Sequence, residues 1–216
     1  EWRCKTKKFM SVKPISRQPR WCEQDPDGKT ILVYAEQGYG DSIHFSRYLT
    51  RLNALGARVI LECPKPLMGL LSEVRGVTAI IQTDDQRPQF DFHIPMMSLP
   101  GIFNEDLSNP NLGSSYINLR AEDIKKWRAQ LSNVLGGKNI GLVWKGSVNH
   151  PRDALRSPGL TAFSSLFDCS DVTFFSFQKD GGETDINRAN LSKKIISIGN
   201  FECFADTGAA LSCMDL

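Results

Sequence analysis

Short apolar runs alternate with amphipathic segments along the chain after Gly28. Three of the runs have the length of buried strands and contain many β-branched residues, namely 30–35, 58–63 and 77–82. Between the first two, the segment 42–55 has helical spacing and ends at Gly56, which we expect to be a left-handed helix cap. A weaker strand interrupted by proline is predicted over 90–96.

The pattern restarts after an amphipathic helix over 121–135, which has Ile124, Trp127 and Leu131 on one face and is closed by Gly136-Gly137. A short strand is predicted over 115–119 as well. Three more strands are predicted over 139–145, 172–178 and 194–199, and they alternate with helical segments, the first of which is predicted over 160–167. Strand-helix alternation in two blocks predicts an α/β protein built from two Rossmann-like, doubly wound units with right-handed crossovers.

The domain organisation follows from these two blocks. We predict a connector over 1–27, a first Rossmann-like domain over 28–136 and a second over 137–216. The second block contains three predicted strands and reaches Asp215-Leu216, where a fourth should begin. An open apolar sheet edge is unfavourable. We therefore expect the second unit to be incomplete and the natural chain to be longer.

Composition and charge exclude several classes of protein. The 216 residues are 41% hydrophobic and carry 26 basic and 24 acidic side chains, a formal net charge of +2. This balance provides no field for nucleic acid, and no segment reaches the roughly 20 apolar residues of a membrane span. The six cysteines form no C-x-x-C pair. They are typical of a reduced, cytoplasmic protein.

The loop EQGYGD after the first strand is the main candidate for chemistry. Gly38 and Gly40 form half of the dinucleotide fingerprint G-x-G-x-x-G, but Ile43 stands where its third glycine would be. Glu62 lies about 20 residues beyond the loop, where that fingerprint has its ribose-binding acid. Asp41 suits a helix N-cap. A carboxylate at this strand end also faces the ligand crevice of an open α/β sheet, where it could act as a general base.

Several stretches together resemble bacterial glycosyltransferases related to the ADP-heptose:lipopolysaccharide heptosyltransferases of glycosyltransferase family 9. They are YAEQGYGDSIHFSRYLTRLNALGARVILECPKPLMGLL, FDFHIPMMSLPGIF, IGLVWKGSVNHPRDALRSPGL and VTFFSFQKD. In the proteins that the chain resembles, tetratricopeptide repeats precede the catalytic region. The opening EWR matches the junction that follows such repeats. The resemblance implies a GT-B fold with an acceptor-side and a donor-side domain, and a natural chain with an N-terminal repeat domain.

The resemblance also assigns residues to roles. Asp41 falls on the general base, and Gln37, Gly38 and Gly40 shape its loop. His93 is expected at a strand end near the acceptor cleft, although a structural histidine with satisfied hydrogen bonds is the better interpretation. On the donor side, the residues that fall on the nucleotide-sugar site are Trp144, Lys145, Gly146, Arg156 and Gln178. The family's Asp-Thr…His donor segment would follow Leu216, so we expect this polypeptide alone to be inactive.

Simple chemistry supports the donor side of this assignment. Inverting sugar transfer requires a base on the acceptor hydroxyl and positive charge or a metal on the leaving diphosphate. The sequence has no cluster of acidic residues and histidines at metal-ligand spacing, so Lys145 and Arg156 are the candidate phosphate cations. We expect no cofactor, a nucleotide-diphosphate sugar as co-substrate, and a glycan or protein acceptor. Peripheral membrane association stays open.

Two other functions remain open at this point. The chain could be a non-catalytic binding or scaffold module derived from a transferase. It could also be an NAD-dependent oxidoreductase, with the dinucleotide at the Gly38 loop and its ribose on Glu62.

Overall fold

A computed structural model of the chain describes residues 17–104, 115–147, 150–198 and 201–216. The chain divides into two compact units, Glu1–Asn118 and Leu119–Leu216. Residues 1–16 of the predicted connector lie outside the described part. No helix within the described residues is both long and apolar enough to cross a membrane.

The first unit is built around a parallel sheet. In chain order its elements are β1 (Thr30–Tyr34), α1 (Tyr39–Phe45), α2 (Arg47–Ala54), β2 (Arg58–Cys63), α3 (Lys65–Leu71), β3 (Val77–Gln82), β4 (Phe92–Pro95), a 3-10 turn (Met96–Ser98) and α4 (Leu99–Ile102). The strand order is β3-β2-β1-β4, and every pairing is parallel. The strand ends that precede the loops to α1 and α3 therefore lie at one edge of the sheet.

Burial explains why these strands form. Ile31, Leu32 and Val33 of β1 are each 0% exposed, as expected for a central parallel strand covered on both faces. The helices α2 and α3 contribute their apolar stripes to the core, namely Tyr48, Leu49, Leu52, Leu67, Leu70 and Leu71. Gly56 has φ +89°, and a Cβ there would lie 2.1 Å from Asp27 Oδ1, so the predicted left-handed cap is confirmed.

The second unit repeats the plan with three strands. Its elements are α5 (Ala121–Leu131), β5 (Lys138–Leu142), α6 (Asp153–Arg156), a 3-10 segment (Leu160–Asp168), β6 (Val172–Ser176), α7 (Gly182–Arg188), β7 (Ile195–Ser197) and α8 (Phe204–Leu211). The strands run parallel in the order β5-β6-β7. Asp215 N–H donates to Asn139 O at 2.7 Å and Gly141 N–H to Leu216 O at 2.8 Å, so both end residues lie along β5.

The two faces of this second sheet carry separate cores. Neighbouring residues of a strand point to opposite faces, and Phe174 and Phe175 of β6 belong to different apolar clusters. One cluster includes residues of α5 and α8, and the other includes residues of the 3-10 segment and α7.

The structure differs from the predicted elements in four places. The expected helix over 42–55 begins earlier, at Tyr39, and divides at Ser46, whose hydroxyl donates to Ile43 O and competes with the helical bonds. The segment 160–168 is a 3-10 helix instead of an α-helix. The expected strand over 115–119 forms an isolated bridge between Ile117 and Val74.

The fourth difference concerns the helix α5, which the sequence analysis placed in the first domain. The boundary between the two compact units lies between Asn118 and Leu119, before this helix, whereas the sequence predicted it at Gly136-Gly137. The reason is the apolar face of α5, because Trp127 and Leu131 are buried against Phe201 and the alanines of α8. Burial of this face stabilises the second unit.

Candidate functional site

Four of the predicted site residues lie where β1 connects to α1, namely Gln37 and Gly38 in the loop and Gly40 and Asp41 in the first turn of the helix. The helix α1 begins at Tyr39, with Gly38 as its N-cap, and Asp41 is the third helical residue. The Asp41 carboxylate accepts a hydrogen bond from Gly38 N–H at 3.2 Å. Asp41 is therefore not the N-cap itself. It reaches back from the first turn and stabilises the N-terminus as an N3 acid does.

The two glycines of this loop have ordinary backbone conformations. Gly38 has φ −67°, a value that any residue adopts. A Cβ at Gly40 would meet no atom within 4 Å. Neither glycine is therefore required by a left-handed turn, in contrast to the first glycine of the dinucleotide fingerprint. Gln37, Gly38 and Gly40 are exposed, whereas Asp41 is half-buried.

Glu62 is engaged in an ion pair that the sequence analysis did not predict. It is 5% exposed, and its carboxylate accepts from Arg87 Nε at 2.5 Å and from Arg87 Nη2 at 2.9 Å. Both oxygens of the Glu62 carboxylate therefore accept a hydrogen bond from the Arg87 guanidinium. The bidentate pair also accounts for a charged residue in the middle of an apolar strand, since buried carboxylates require a partner.

His93 lies on β4 opposite Leu32 of β1. Its Nδ1 atom is buried, and no residue in the described part of the chain bonds to it. Burial, followed by the positive charges of Arg20 and Arg87, lowers the pKa of the imidazole from its ordinary value. The Tyr34 ring lies 5.9 Å away, centroid to centroid. His93 therefore lies within β4, in surroundings that oppose protonation of its ring.

In the second unit, one side chain fixes the backbone at the end of β5. Gln178 follows β6, and its Oε1 accepts hydrogen bonds from the backbone N–H groups of Trp144 at 3.2 Å and Lys145 at 3.0 Å. The resemblance assigned Gln178 to the nucleotide-sugar site. The structure shows its carbonyl oxygen holding the loop, which leaves the amide nitrogen as the outward donor.

The side chains of Trp144 and Lys145 meet at Asp185 of α7. Asp185 Oδ2 accepts from Trp144 Nε1 at 2.9 Å and from Lys145 Nζ at 2.7 Å. The hydrogen bonds from Lys145 and Trp144 lower the pKa of the Asp185 carboxyl. Trp144 is 1% exposed. Its ring is part of the apolar core, and its indole N–H donates a hydrogen bond to the carboxylate that pairs with Lys145.

Gly146 lies beside the second candidate phosphate cation. A Cβ there would stand 3.1 Å from Asp153 Oδ1 and 3.3 Å from Arg156 Nε and Nη2, so the guanidinium lies against the glycine backbone. Gly146 N–H donates to Ser157 Oγ at 2.9 Å, and that hydroxyl donates to Asp153 at 2.7 Å. Arg156 is exposed, and no described side chain forms an ion pair with it. Its charge is available to a ligand.

A cavity of about 400 Å³ opens at this point of the second unit. It has the size of a small-molecule site. Its lining combines apolar surface with polar side chains, which include Lys145, Asp153, Ser157, Thr161, Asp185 and Arg188. The structure therefore brings Trp144, Lys145, Gly146, Arg156 and Gln178 together in one region. The cavity residues Asp153, Ser157 and Asp185 were missed, because only the tertiary fold places α6 and α7 beside the end of β5.

Neither a metal site nor a reactive thiol is evident in the described residues. No three of their histidine, cysteine, aspartate or glutamate side chains are grouped to hold a metal ion. Burial raises the pKa of the Cys63 thiol to about 12, which makes this cysteine inert.

The fold is that of the GT-B-like glycosyltransferases, as the sequence predicted. The chain is similar to the crystal structure of the glycosyl transferase family 9 from Veillonella parvula DSM 2008, with a TM-score of 0.62 and 12% identity over 88% of this chain and 75% of that one. It is also similar to E. coli ADP-heptose lps heptosyltransferase II, with a TM-score of 0.58 and 11% identity over 86% of this chain and 77% of that one.

Comparison of the sequence gives no further relative. No protein-family model matches the chain, and no curated protein matches it. At 11–12% identity, the likeness to the two glycosyltransferases establishes the fold. Function has to be argued from the site.

Proposed function

We propose that this chain is the glycosyltransferase region of a GT-B enzyme, which transfers a sugar from a nucleotide-diphosphate donor to an acceptor hydroxyl with inversion. The second unit binds the donor, and the first unit supplies Asp41. The observation that carries the proposal is the position of Arg156 beside Gly146, where an exposed guanidinium without an ion-pair partner among the described residues lies close to the cavity that Lys145, Asp153 and Ser157 line.

The donor site follows from ordinary phosphate chemistry. Arg156 presents a planar fork that suits phosphate oxygens, and the absence of a Cβ at Gly146 leaves room for the guanidinium beside the backbone. Lys145 contributes a second cation near the cavity. As the bond between the anomeric carbon and the diphosphate breaks, its electron pair leaves with the diphosphate. The two cations stabilise that developing charge without a metal.

Asp41 is proposed to act on the acceptor. Its carboxylate takes the proton of the attacking hydroxyl, while the oxygen forms the new bond to the anomeric carbon from the face opposite the diphosphate. One displacement of this kind inverts the anomeric centre. The bond from Gly38 N–H to Asp41 Oδ2 fixes the carboxylate and leaves Oδ1 to the substrate. His93 would contact the acceptor as a neutral group.

The acceptor class, a glycan or a protein, stays a prediction, as do the cytoplasmic location, the N-terminal repeat domain and inactivity of this polypeptide alone. A scaffold function is the alternative that shares the same fold. The NAD-dependent alternative requires Glu62 for a ribose, but Arg87 uses both oxygens of that carboxylate. We therefore place it third.

Binding of free nucleotides tests the proposal without requiring turnover. Calorimetric titration of this chain with ADP, UDP and GDP should show one of them binding at a single site, and Arg156→Gln should weaken that binding about tenfold or more. Arg128→Gln is the matched control, because Arg128 is an exposed arginine on α5, which packs on the opposite face of the sheet. No binding of any nucleoside diphosphate favours the scaffold, and NAD binding that Glu62→Ala abolishes favours the oxidoreductase.

A further inference from the structure

Lys145 is held from three directions. The ammonium of Lys145 donates a hydrogen bond to Asp185 Oδ2 at 2.7 Å, and its backbone N–H donates to Gln178 Oε1. On a further side lies Gly181, where a Cβ would stand 3.2 Å from Lys145 Nζ. Gly181 has φ +66°, in the left-handed region, so a side chain at this position is disfavoured by backbone conformation as well as by space.

Such confinement matters for lysine in particular. A free lysine side chain has four rotatable bonds and loses conformational entropy when it is fixed. The ion pair with Asp185 fixes the lysine side chain before any ligand binds, so part of this entropy is already lost in the free protein. Asp185 is itself held in place, because Oδ2 also accepts a hydrogen bond from the buried indole N–H of Trp144 at 2.9 Å. The carboxylate is thereby anchored to the core, and the ammonium is anchored to the carboxylate.

The pair has two opposite effects on an anionic ligand. As a charge, Asp185 repels a diphosphate and compensates Lys145. As a bond acceptor, it places the ammonium at the cavity wall, about a quarter exposed, with further N–H groups to donate. Charge alone predicts that removal of Asp185 tightens binding, whereas positioning predicts that removal weakens it. The sign of the change therefore separates the two roles.

We propose that Asp185 is a positioning residue of the donor site, which holds the Lys145 ammonium against the Trp144 indole so that it meets the diphosphate of the ligand. The inference rests on the proposed function, since it assigns a residue to the donor site. Asp185 acts through Lys145 and does not itself contact the phosphates.

The test uses whichever of ADP, UDP and GDP binds the wild-type chain. Asp185→Asn keeps an acceptor for the indole but loses the ion pair, and we expect the dissociation constant to rise about tenfold. Lys145→Met should weaken binding to a similar extent. Adding Asp185→Asn to Lys145→Met should then change the dissociation constant less than about twofold, because the two residues act as one unit.

Two further variants make the result specific. Asp180→Asn removes an exposed carboxylate from the loop that precedes α7 and should leave affinity unchanged or slightly improved. Asp185→Glu keeps the charge but lengthens the side chain by one methylene, so any loss of affinity reports position alone. This variant also decides the matter if Asp185→Asn does not fold.

The outcomes separate the two proposals. Weaker binding by Asp185→Asn and Asp185→Glu, with no further loss in the double variant, supports the positioning role. Unchanged or tighter binding by both variants overturns it and leaves the donor site in place. Absence of nucleoside diphosphate binding by the wild type overturns the proposed function, and the donor-site role of Asp185 with it.

Discussion

Gln178 holds Lys145 through its backbone, since one side-chain oxygen accepts the N–H groups of both Lys145 and Trp144, at 3.0 and 3.2 Å. The bond joins the end of β5 to the end of β6, which are neighbours in the sheet. A glutamine in this position therefore sets the conformation of the loop that carries the candidate phosphate cations.

Replacing Gln178 by alanine should loosen this loop. Two backbone N–H groups lose their acceptor, and we expect a loss of about 1–2 kcal/mol in the free energy of unfolding. Amide hydrogen exchange at Trp144 and Lys145 should accelerate, while exchange in β7 should not. Gln178→Glu retains an acceptor oxygen and should keep both amides protected. Equal exchange rates in Gln178→Ala and the wild type would show that the loop is held by other contacts.

The ion pair of Glu62 and Arg87 gives a prediction for the first unit. Arg87→Met leaves a carboxylate buried without its partner, and the free energy of unfolding should fall by about 3 kcal/mol. We expect a loss at the lower end of the range that is usual for breaking buried ion pairs, because the Arg87 side chain is 31% exposed and the pair is partly solvated. Urea denaturation measures the change, with the exposed Arg75→Met as control. Arg87→Met combined with Glu62→Leu should recover most of the loss, because no buried charge then remains.

The sequence indicated the fold well where burial decides the structure. The bounds of β2, in which five of the six residues are buried, match the predicted run to the residue. The bounds of β3 also match, although none of its residues is buried. Helix division at Ser46 was missed because a buried serine that bonds to the preceding turn resembles any other polar helix position in sequence.

The candidate site was predictable only in part, for a physical reason. Trp144, Lys145 and Gly146 follow a strand, and strand ends are where ligands bind in open α/β sheets. Their partners come from distant segments. Asp185 is 40 residues from Lys145 along the chain, and Arg87 is 25 residues from Glu62. Pairing of this kind depends on crossover geometry, which no local pattern in the sequence records.

His93 should make stability depend on pH. The folded-state pKa lies below the unfolded value of about 6.5. Between the two values the unfolded chain binds more protons, so the free energy of unfolding should fall as the pH drops from 7 through that window and level off below it. Arg20 and Arg87 are the positive charges that oppose protonation. Urea denaturation at a series of pH values should show a smaller slope in His93→Gln, and an unchanged slope in the control His150→Gln, whose side chain is exposed.

Two variants of Asp41 separate its role in stabilising the helix from its proposed role as the general base. Asp41→Asn keeps an oxygen that can accept from Gly38 N–H, so its stability should lie close to that of the wild type, whereas Asp41→Ala should lose about 0.5–1 kcal/mol through the missing acceptor at the helix N-terminus. The proposed role as a base gives a second expectation, because an amide cannot accept the proton of a sugar hydroxyl. In a version of the protein that transfers sugar, Asp41→Asn should therefore lower kcat about 100-fold or more, with little change in donor affinity. Stability curves and rates measured on the same two variants decide the role of the residue. If Asp41→Asn transfers sugar at the wild-type rate, the carboxylate is a helix-stabilising group and the base lies elsewhere.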